Sequence, residues 1–146
     1  MSVADERTAI RSLAGQTGHL IRRAQQRHTA LWGEVVSDAV TGPQYAVLAV
    51  LHERPGASQR ELGEALELDA STIAGLVARL EARGQITRDP HEGDGRKKVL
   101  HLTDAGAAVR AELAPRVDRL QVALTANLTA DERAQLTSML QRILTD

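Results

Sequence analysis

Ser71, Gly75 and Arg79 share the helical face opposite Ile73 and Leu80, together with Ala78 and Ala82 and with Thr72 at its edge. Small residues let a helix backbone come close to the floor of a DNA groove. Hydroxyls can donate to or accept from base edges, and the Thr72 methyl can meet a thymine methyl. Arg79 suits a phosphate or a guanine. A second set follows in the run Pro90-His-Glu-Gly-Asp-Gly-Arg-Lys-Lys98. Arg96, at the tip of a short loop, can enter a narrow minor groove, where the potential is most negative. Lys97 and Lys98 are phosphate candidates. Asp94 lies two residues away; a carboxylate near phosphates costs binding, so its expected role is to orient Arg96 or Arg79. Ser58, Gln59 and Arg60, at the opening of the preceding helix, complete the candidate contacts. The bland alternative is an exposed helix of good helix formers beside a solubilising hairpin. The adjacency of the two sets favours duplex DNA recognition.

The elements that must position these residues can be read from spacing and punctuation. Ile73, Leu76, Val77 and Leu80 recur at i, i+3, i+4 and i+7, a one-sided apolar stripe. Gly84 suits the C-terminal cap of that helix. Before it, Ser58 with Glu61 reads as a capping box opening a short helix that buries Leu62, Ala65 and Leu66. Gln85–Arg88 and Lys98–Leu102 alternate as strands around a polar loop. A helix-turn-helix followed by a basic hairpin places one helix in the major groove and a charged loop beside it.

Upstream, residues 9–38 read as one long helix, with Leu13, Leu20, Ala24, Leu31 and Val35 at helical spacing. Thr41-Gly-Pro-Gln44 stops it and caps another helix bearing Tyr45, Val47, Leu48 and Leu51, which Pro55-Gly56 ends. Downstream, Thr103-Asp104 caps a long helix with Val109, Leu113, Val117, Leu120 and Leu124 on one face; Pro115 implies a kink or a break in it. Thr129 with Glu132 forms a further capping box, opening a last helix with Leu136, Met139, Leu140, Ile143 and Leu144. The fold class is therefore mostly α with a small β-hairpin wing. One winged domain cannot cover all these stripes, so a homodimer built from the terminal helices, 9–38 and 103–146, around a winged region 43–102 is the natural solution.

A chain of 146 residues fits one domain, and an Ala/Leu/Val-rich composition nearly free of aromatics favours helices. There is no cysteine, which excludes disulfides, thiolate zinc sites and a cysteine peroxide sensor within this chain. No N-terminal apolar stretch reads as a signal peptide and no run is long enough to span a bilayer, so a cytoplasmic protein without membrane contact is expected. The net charge of −1 conceals an uneven distribution. From Arg79 to His101 six Lys/Arg stand against four acids, and from Arg7 to Gly33 five arginines stand against none.

These residues, in this order, resemble the MarR family of winged helix-turn-helix regulators over nearly the whole chain. The resemblance rests on Thr41-Gly-Pro-Gln-Tyr-Ala-Val-Leu48, Ser58-Gln-Arg-Glu-Leu62, Asp69-Ala-Ser-Thr-Ile-Ala-Gly-Leu-Val77, Leu80-Glu-Ala-Arg-Gly84, Asp94-Gly-Arg96 and Leu102-Thr-Asp-Ala-Gly106. It implies an obligate dimer, a palindromic operator and repression relieved by a small ligand. The family's usual Asp-Arg-Arg wing reads Asp94-Gly95-Arg96 here, so one basic residue is missing while the key arginine remains.

His19-Leu-Ile-Arg-Arg-Ala-Gln-Gln-Arg-His28 with Leu31-Trp32 resembles the branch of this family that answers to aromatic acids such as hydroxybenzoates. The resemblance implies that Arg22 and His28 hold the ligand's polar groups, with His19 and Trp32 nearby. Independently, Arg22, Gln25 or Gln26, and Thr29 share a helical face, and arginine suits a bidentate carboxylate. Trp32 is either a ring-stacking wall or a core residue, and Arg22, Arg23 and Arg27 are either ligand groups or dimer-surface charges. Two other regulator types stay open: a metal-responsive one using His91, Glu92, Asp94 and His101 with His52-Glu53 nearby, and a ligand-independent DNA binder. No cofactor is implied. The chain has no nucleophile elbow, phosphate loop or His-Glu-x-x-His motif, so no enzyme is implied either.

Overall fold

The computed structural model describes residues 2–6, 12 and 15–145. Its elements are helix α1 (Thr17–Leu31), a π-helical turn (Trp32–Val36), α2 (Gly42–Glu53), α3 (Gln59–Leu66), α4 (Ala70–Ala82), strands β1 (Ile86–Pro90) and β2 (Lys98–Leu102), then α5 (Asp104–Leu124) and α6 (Ala130–Ile143). The result is a winged helix-turn-helix, α3-turn-α4 plus hairpin, between terminal helices.

Local chemistry accounts for the boundaries. Thr41 and Gln44 form a reciprocal capping box on α2, with Thr41 Oγ1 accepting from Gln44 N at 3.3 Å and Gln44 Oε1 from Thr41 N at 3.1 Å. Thr129 and Glu132 do the same on α6. Ser58 accepts from Glu61 N at 3.1 Å, but the Glu61 side chain does not reciprocate, so this is half of the expected box. Asp69 caps α4 by accepting from Thr72 N at 2.7 Å. Gly84, with φ of 72°, turns the chain out of α4 through a left-handed conformation that a Cβ disfavours.

The first helix departs from its expected extent. Ala9 and Leu13 lie outside the described residues, as do Arg7 and Arg11. Gln16 is extended at the N-cap, so α1 begins at Thr17. Its α-geometry ends at Leu31, where Ser37 N donates to Trp32 O and closes a wider, π-type turn. This turn buries both Trp32 and Val36. Of the kink or break expected at Pro115, the break does not occur: α5 is one helix with Pro115 inside it. Pro115 is exposed, so the carbonyl left without a donor one turn earlier can be solvated. Ala65, expected in the core, is exposed, because α3 turns Leu62 and Leu66 inward.

The hairpin is antiparallel, with Ile86 opposite Leu102 and Pro90 opposite Lys98. Ala57 adds a bridge to Leu100, its carbonyl accepting from Leu100 N at 2.9 Å. This ties the start of the helix-turn-helix to the wing. Two apolar clusters result. Leu48, Leu51, Leu62, Ile73, Leu80 and Leu100 lie at the heart of the reading head. Trp32, Val36, Val40, Leu113 and Leu120 form a second cluster beside the π-turn. Val109 packs on both. By contrast α1 and α6 bury no side chain, and Leu20, Met139, Ile143 and Leu144 are exposed.

Candidate functional site

Helix α4 turns Ile73, Leu76, Val77 and Leu80 into the core, which leaves Ser71, Thr72, Ala74, Ala78, Arg79 and Ala82 exposed. Gly75 sits in the middle of that outer face. A Cβ built on it meets nothing within 4 Å. The fold therefore has no internal need for glycine there, and the space is open to an approaching surface. Arg79 forms no ion pair among the described residues. Asp69 at the head of this helix is held below the usual carboxylate range, first by the backbone hydrogen bond from Thr72 and then by its hydroxyl.

In the wing, Arg96, Lys97 and Lys98 are all exposed and form no ion pair among the described residues. Asp94 Oδ1 accepts from the backbone N of Arg96 at 3.0 Å. Asp94 thus pins the turn that carries Arg96 through the main chain, and it pairs with neither the Arg96 nor the Arg79 guanidinium. Arg88 leans on Glu81 of α4 at 3.6 Å, linking wing to helix. Ser58, Gln59, Arg60, Arg88, Lys97 and Lys98 line one cleft of about 730 Å³ between α3 and the wing. Arg60 is already paired with Glu64 at 3.2 Å.

On α1, Arg22 is exposed, with its Nη1 3.7 Å from where a Cβ on Gly18 would stand. The guanidinium thus lies back over the preceding turn. His28 and Trp32 come together, ring centroids 6.2 Å apart, and Tyr45 meets the far side of the network at 5.9 Å from Trp32. Trp32 is 8% exposed, and its Nε1 donates to Val40 O at 2.7 Å. It is therefore a core residue with its polar handle occupied, which leaves only ring faces and edges for any further contact. His19 is half-buried. Six positions separate Arg22 from His28, so in one helix they point about 120° apart. The structure brings His28 to Trp32 but not to Arg22.

The metal-responsive alternative finds no support in the geometry. Among the described residues no three His, Cys, Asp or Glu side chains form a group able to hold a metal. His91 Nδ1 instead accepts from Gly93 N at 3.0 Å, shaping the wing turn.

Two arginines have roles that spacing does not reveal. Arg83 Nη1 donates to Ala39 O at 2.9 Å and reaches Gln44 Oε1 at 3.4 Å. Arg116 Nη1 donates to Val36 O at 3.1 Å while Nη2 holds Glu112 at 3.0 Å. Both join segments far apart in sequence, and no local pattern announces them.

Comparison with known proteins places this geometry. A model of the MarR family matches residues 40–97. The chain is 35% identical to the HTH-type transcriptional repressor NicR of Pseudomonas putida, over 88% of this chain and 82% of that one. The PcaV transcriptional regulator of Streptomyces coelicolor, solved in complex with its natural ligand, superposes with a TM-score of 0.87 at 44% identity, covering 91% of this chain and 94% of that one. BpsR of Bordetella bronchiseptica, whose DNA binding is regulated by 6-hydroxynicotinic acid, superposes with a TM-score of 0.88 at 29% identity, over 92% and 97% of the two chains.

Proposed function

The chain belongs to the MarR family of transcriptional regulators, and from that premise we propose that it is a homodimeric repressor, released from a palindromic operator by a small aromatic carboxylate. The observation that carries the DNA reading is the outer face of α4. It combines exposed small residues, an open position at Gly75 and a neighbouring wing in which Arg96, Lys97 and Lys98 form no ion pair among the described residues. Ser71, Thr72 and Arg79 meet base edges or adjoining phosphates, and Arg96 enters the minor groove. Lys97 and Lys98, with Ser58, Gln59 and Arg60 across the cleft, track the backbone. The unburied faces of α1 and α6 supply the dimer contact. A two-fold axis then sets the two α4 helices near successive turns of one DNA face, about 34 Å apart.

The effector reading draws on the relatives, one of them governed by a hydroxylated aromatic acid. Here Arg22 pairs with the carboxylate and His28 takes a ring substituent, while His19, nine positions earlier, faces roughly the opposite side of α1. Trp32 offers the apolar edge that His28 already touches. A coupling of about 1–3 kcal/mol between effector and DNA, roughly 5–150-fold in affinity, is enough for release. No helix among the described residues is long and apolar enough to cross a membrane, and a regulator of this kind works in the cytoplasm, in contact with the chromosome.

The test has two stages. A melting-temperature screen with 6-hydroxynicotinate, hydroxybenzoates and cinnamates identifies effectors. Fluorescence anisotropy on DNA from upstream of the protein's own reading frame then follows binding and release. Arg22→Ala should bind this DNA as wild type does and no longer release it. If the variant releases DNA at the wild-type ligand concentration, the effector site lies elsewhere. If the wild type treats this DNA and random duplex alike, that segment does not contain the operator this reading requires.

A further inference from the structure

Residues 36–40 run between two apolar clusters that share Val109. Every buried side chain of α4 belongs to the reading-head cluster, and α4 packs on α2, α3 and β1. The π-turn belongs to the other cluster, with α1 and α5 around it. Between them, three carbonyls of the 36–40 loop each accept from a side chain of a different element. Val36 O accepts from Arg116 of α5 at 3.1 Å, and Ala39 O from Arg83 at the end of α4 at 2.9 Å. Val40 O accepts from Trp32 of the π-turn at 2.7 Å. Arg83 is the C-cap residue of α4, so its backbone moves with that helix. Among the described residues, no other side chain of 70–83 makes a hydrogen bond that reaches back to the 36–40 loop.

We propose that Arg83 positions the recognition helix against the dimerisation helices, and that this clamp sets the half-site spacing the dimer accepts. The proposal rests on the reading of the chain as a dimeric operator-binding regulator. Apolar packing between the two clusters holds them together but is non-directional, so it does not by itself select one angle between them. A guanidinium presents several donors in a fixed fork, and hydrogen bonds from a charged donor are roughly twice as strong as neutral ones. Arg83 can thus hold Ala39 O and Gln44 Oε1 together and select one arrangement. Gln44 is itself buried and fixed by Thr41 N, so the clamp closes on a rigid partner. A methionine at position 83 would keep most of the apolar stem and hold neither oxygen.

Spacing is the readout. One inserted base pair moves the half-sites about 3.4 Å apart and rotates them by about a tenth of a turn. A rigid dimer then loses contact at one half-site, whereas a loosened one follows. Selection from random duplex DNA with the full-length wild type supplies the operator. Anisotropy then measures Kd on it and on versions with one central base pair added or removed. The wild type should lose roughly tenfold or more in affinity per base-pair change, and Arg83→Met less than about threefold. The lost charge weakens all spacings alike, so the ratio between them isolates positioning from phosphate contact. Arg83→Gln, too short to reach both oxygens, carries the same test should Arg83→Met fail to fold. A wild-type ratio in the folded variant overturns the proposal. Selected DNA lacking two-fold half-sites overturns the dimeric reading and the proposal together, an outcome distinguishable from an unchanged ratio.

Discussion

Replacing Gly106 with alanine should loosen the joint between the wing and α5. Gly106 is buried in the first turn of α5, and a Cβ built there overlaps the carbonyl oxygen of Gln85 and stands 2.9 Å from its carbon. That oxygen cannot yield freely, because it accepts from Thr103 N at 3.1 Å. Thr103 in turn donates from Oγ1 to Gly84 O at 2.6 Å and caps α5 by accepting from Gly106 N at 3.1 Å. Overpacking of a rigid site costs about 1–3 kcal/mol. Loss of a backbone hydrogen bond adds about 0.5–1.5 kcal/mol. The helix-propensity gain of alanine over glycine returns about 1 kcal/mol. The net is a destabilisation of about 0.5–3.5 kcal/mol, or roughly 1–14 °C in Tm for a domain of this size. Circular dichroism melts at one fixed protomer concentration measure it, so that association of the proposed dimer contributes equally to each Tm. Gly75→Ala is the control, because its new Cβ meets nothing within 4 Å. It should melt at or above the wild-type temperature. A Gly106→Ala protein that melts with the wild type would refute the close-approach argument.

The same control variant should nonetheless bind the operator more weakly, roughly tenfold or more, because its methyl group fills the space the groove floor would take; undiminished affinity would remove Gly75 from the interface. Lys97→Ala and Lys98→Ala should each flatten the salt dependence of binding. A homodimer loses two phosphate contacts per substitution, so the slope of log K against log salt should fall by roughly 1.8; an unchanged slope would mean that lysine faces solvent in the complex. Trp32→Phe keeps an aromatic ring, though a smaller one, and leaves Val40 O without its donor. The expected cost is about 1–3 kcal/mol by chemical denaturation, and a stability equal to wild type would show that the indole N–H contributes nothing. The carboxyls of Asp69 and Glu132 are both held low by cap hydrogen bonds, from Thr72 and Thr129 respectively. Their stabilisation is therefore fully present above the ordinary carboxylate pKa and fades as pH falls through the lowered folded values. The Tm gap between wild type and Asp69→Ala should accordingly narrow as a titration runs below about pH 3.9, and a constant gap would contradict the cap.

What the sequence determined by itself is whatever depends on residues within about a turn of one another. The caps at Thr41, Thr103 and Thr129 and the inward stripe of α4 needed only i to i+4 geometry, which the chain carries locally. The same holds for β2 and the left-handed Gly84. The candidate DNA contacts were legible for that reason, since a helix that buries one face must expose the other. Tertiary structure decided the rest. Trp32 could serve as ligand wall or core until the π-turn rolled it inward against Leu113 and Leu120. Arg83 and Arg116 read as surface charge, yet one reaches a carbonyl 44 residues away and the other 80. Pro115 left a kink and a break both open, and the helix continues through it. Each of these outcomes turns on which distant groups arrive at the same place. Directional hydrogen bonds to freed carbonyls, and the burial of one large ring, are settled only when separate segments pack, and no local spacing records them.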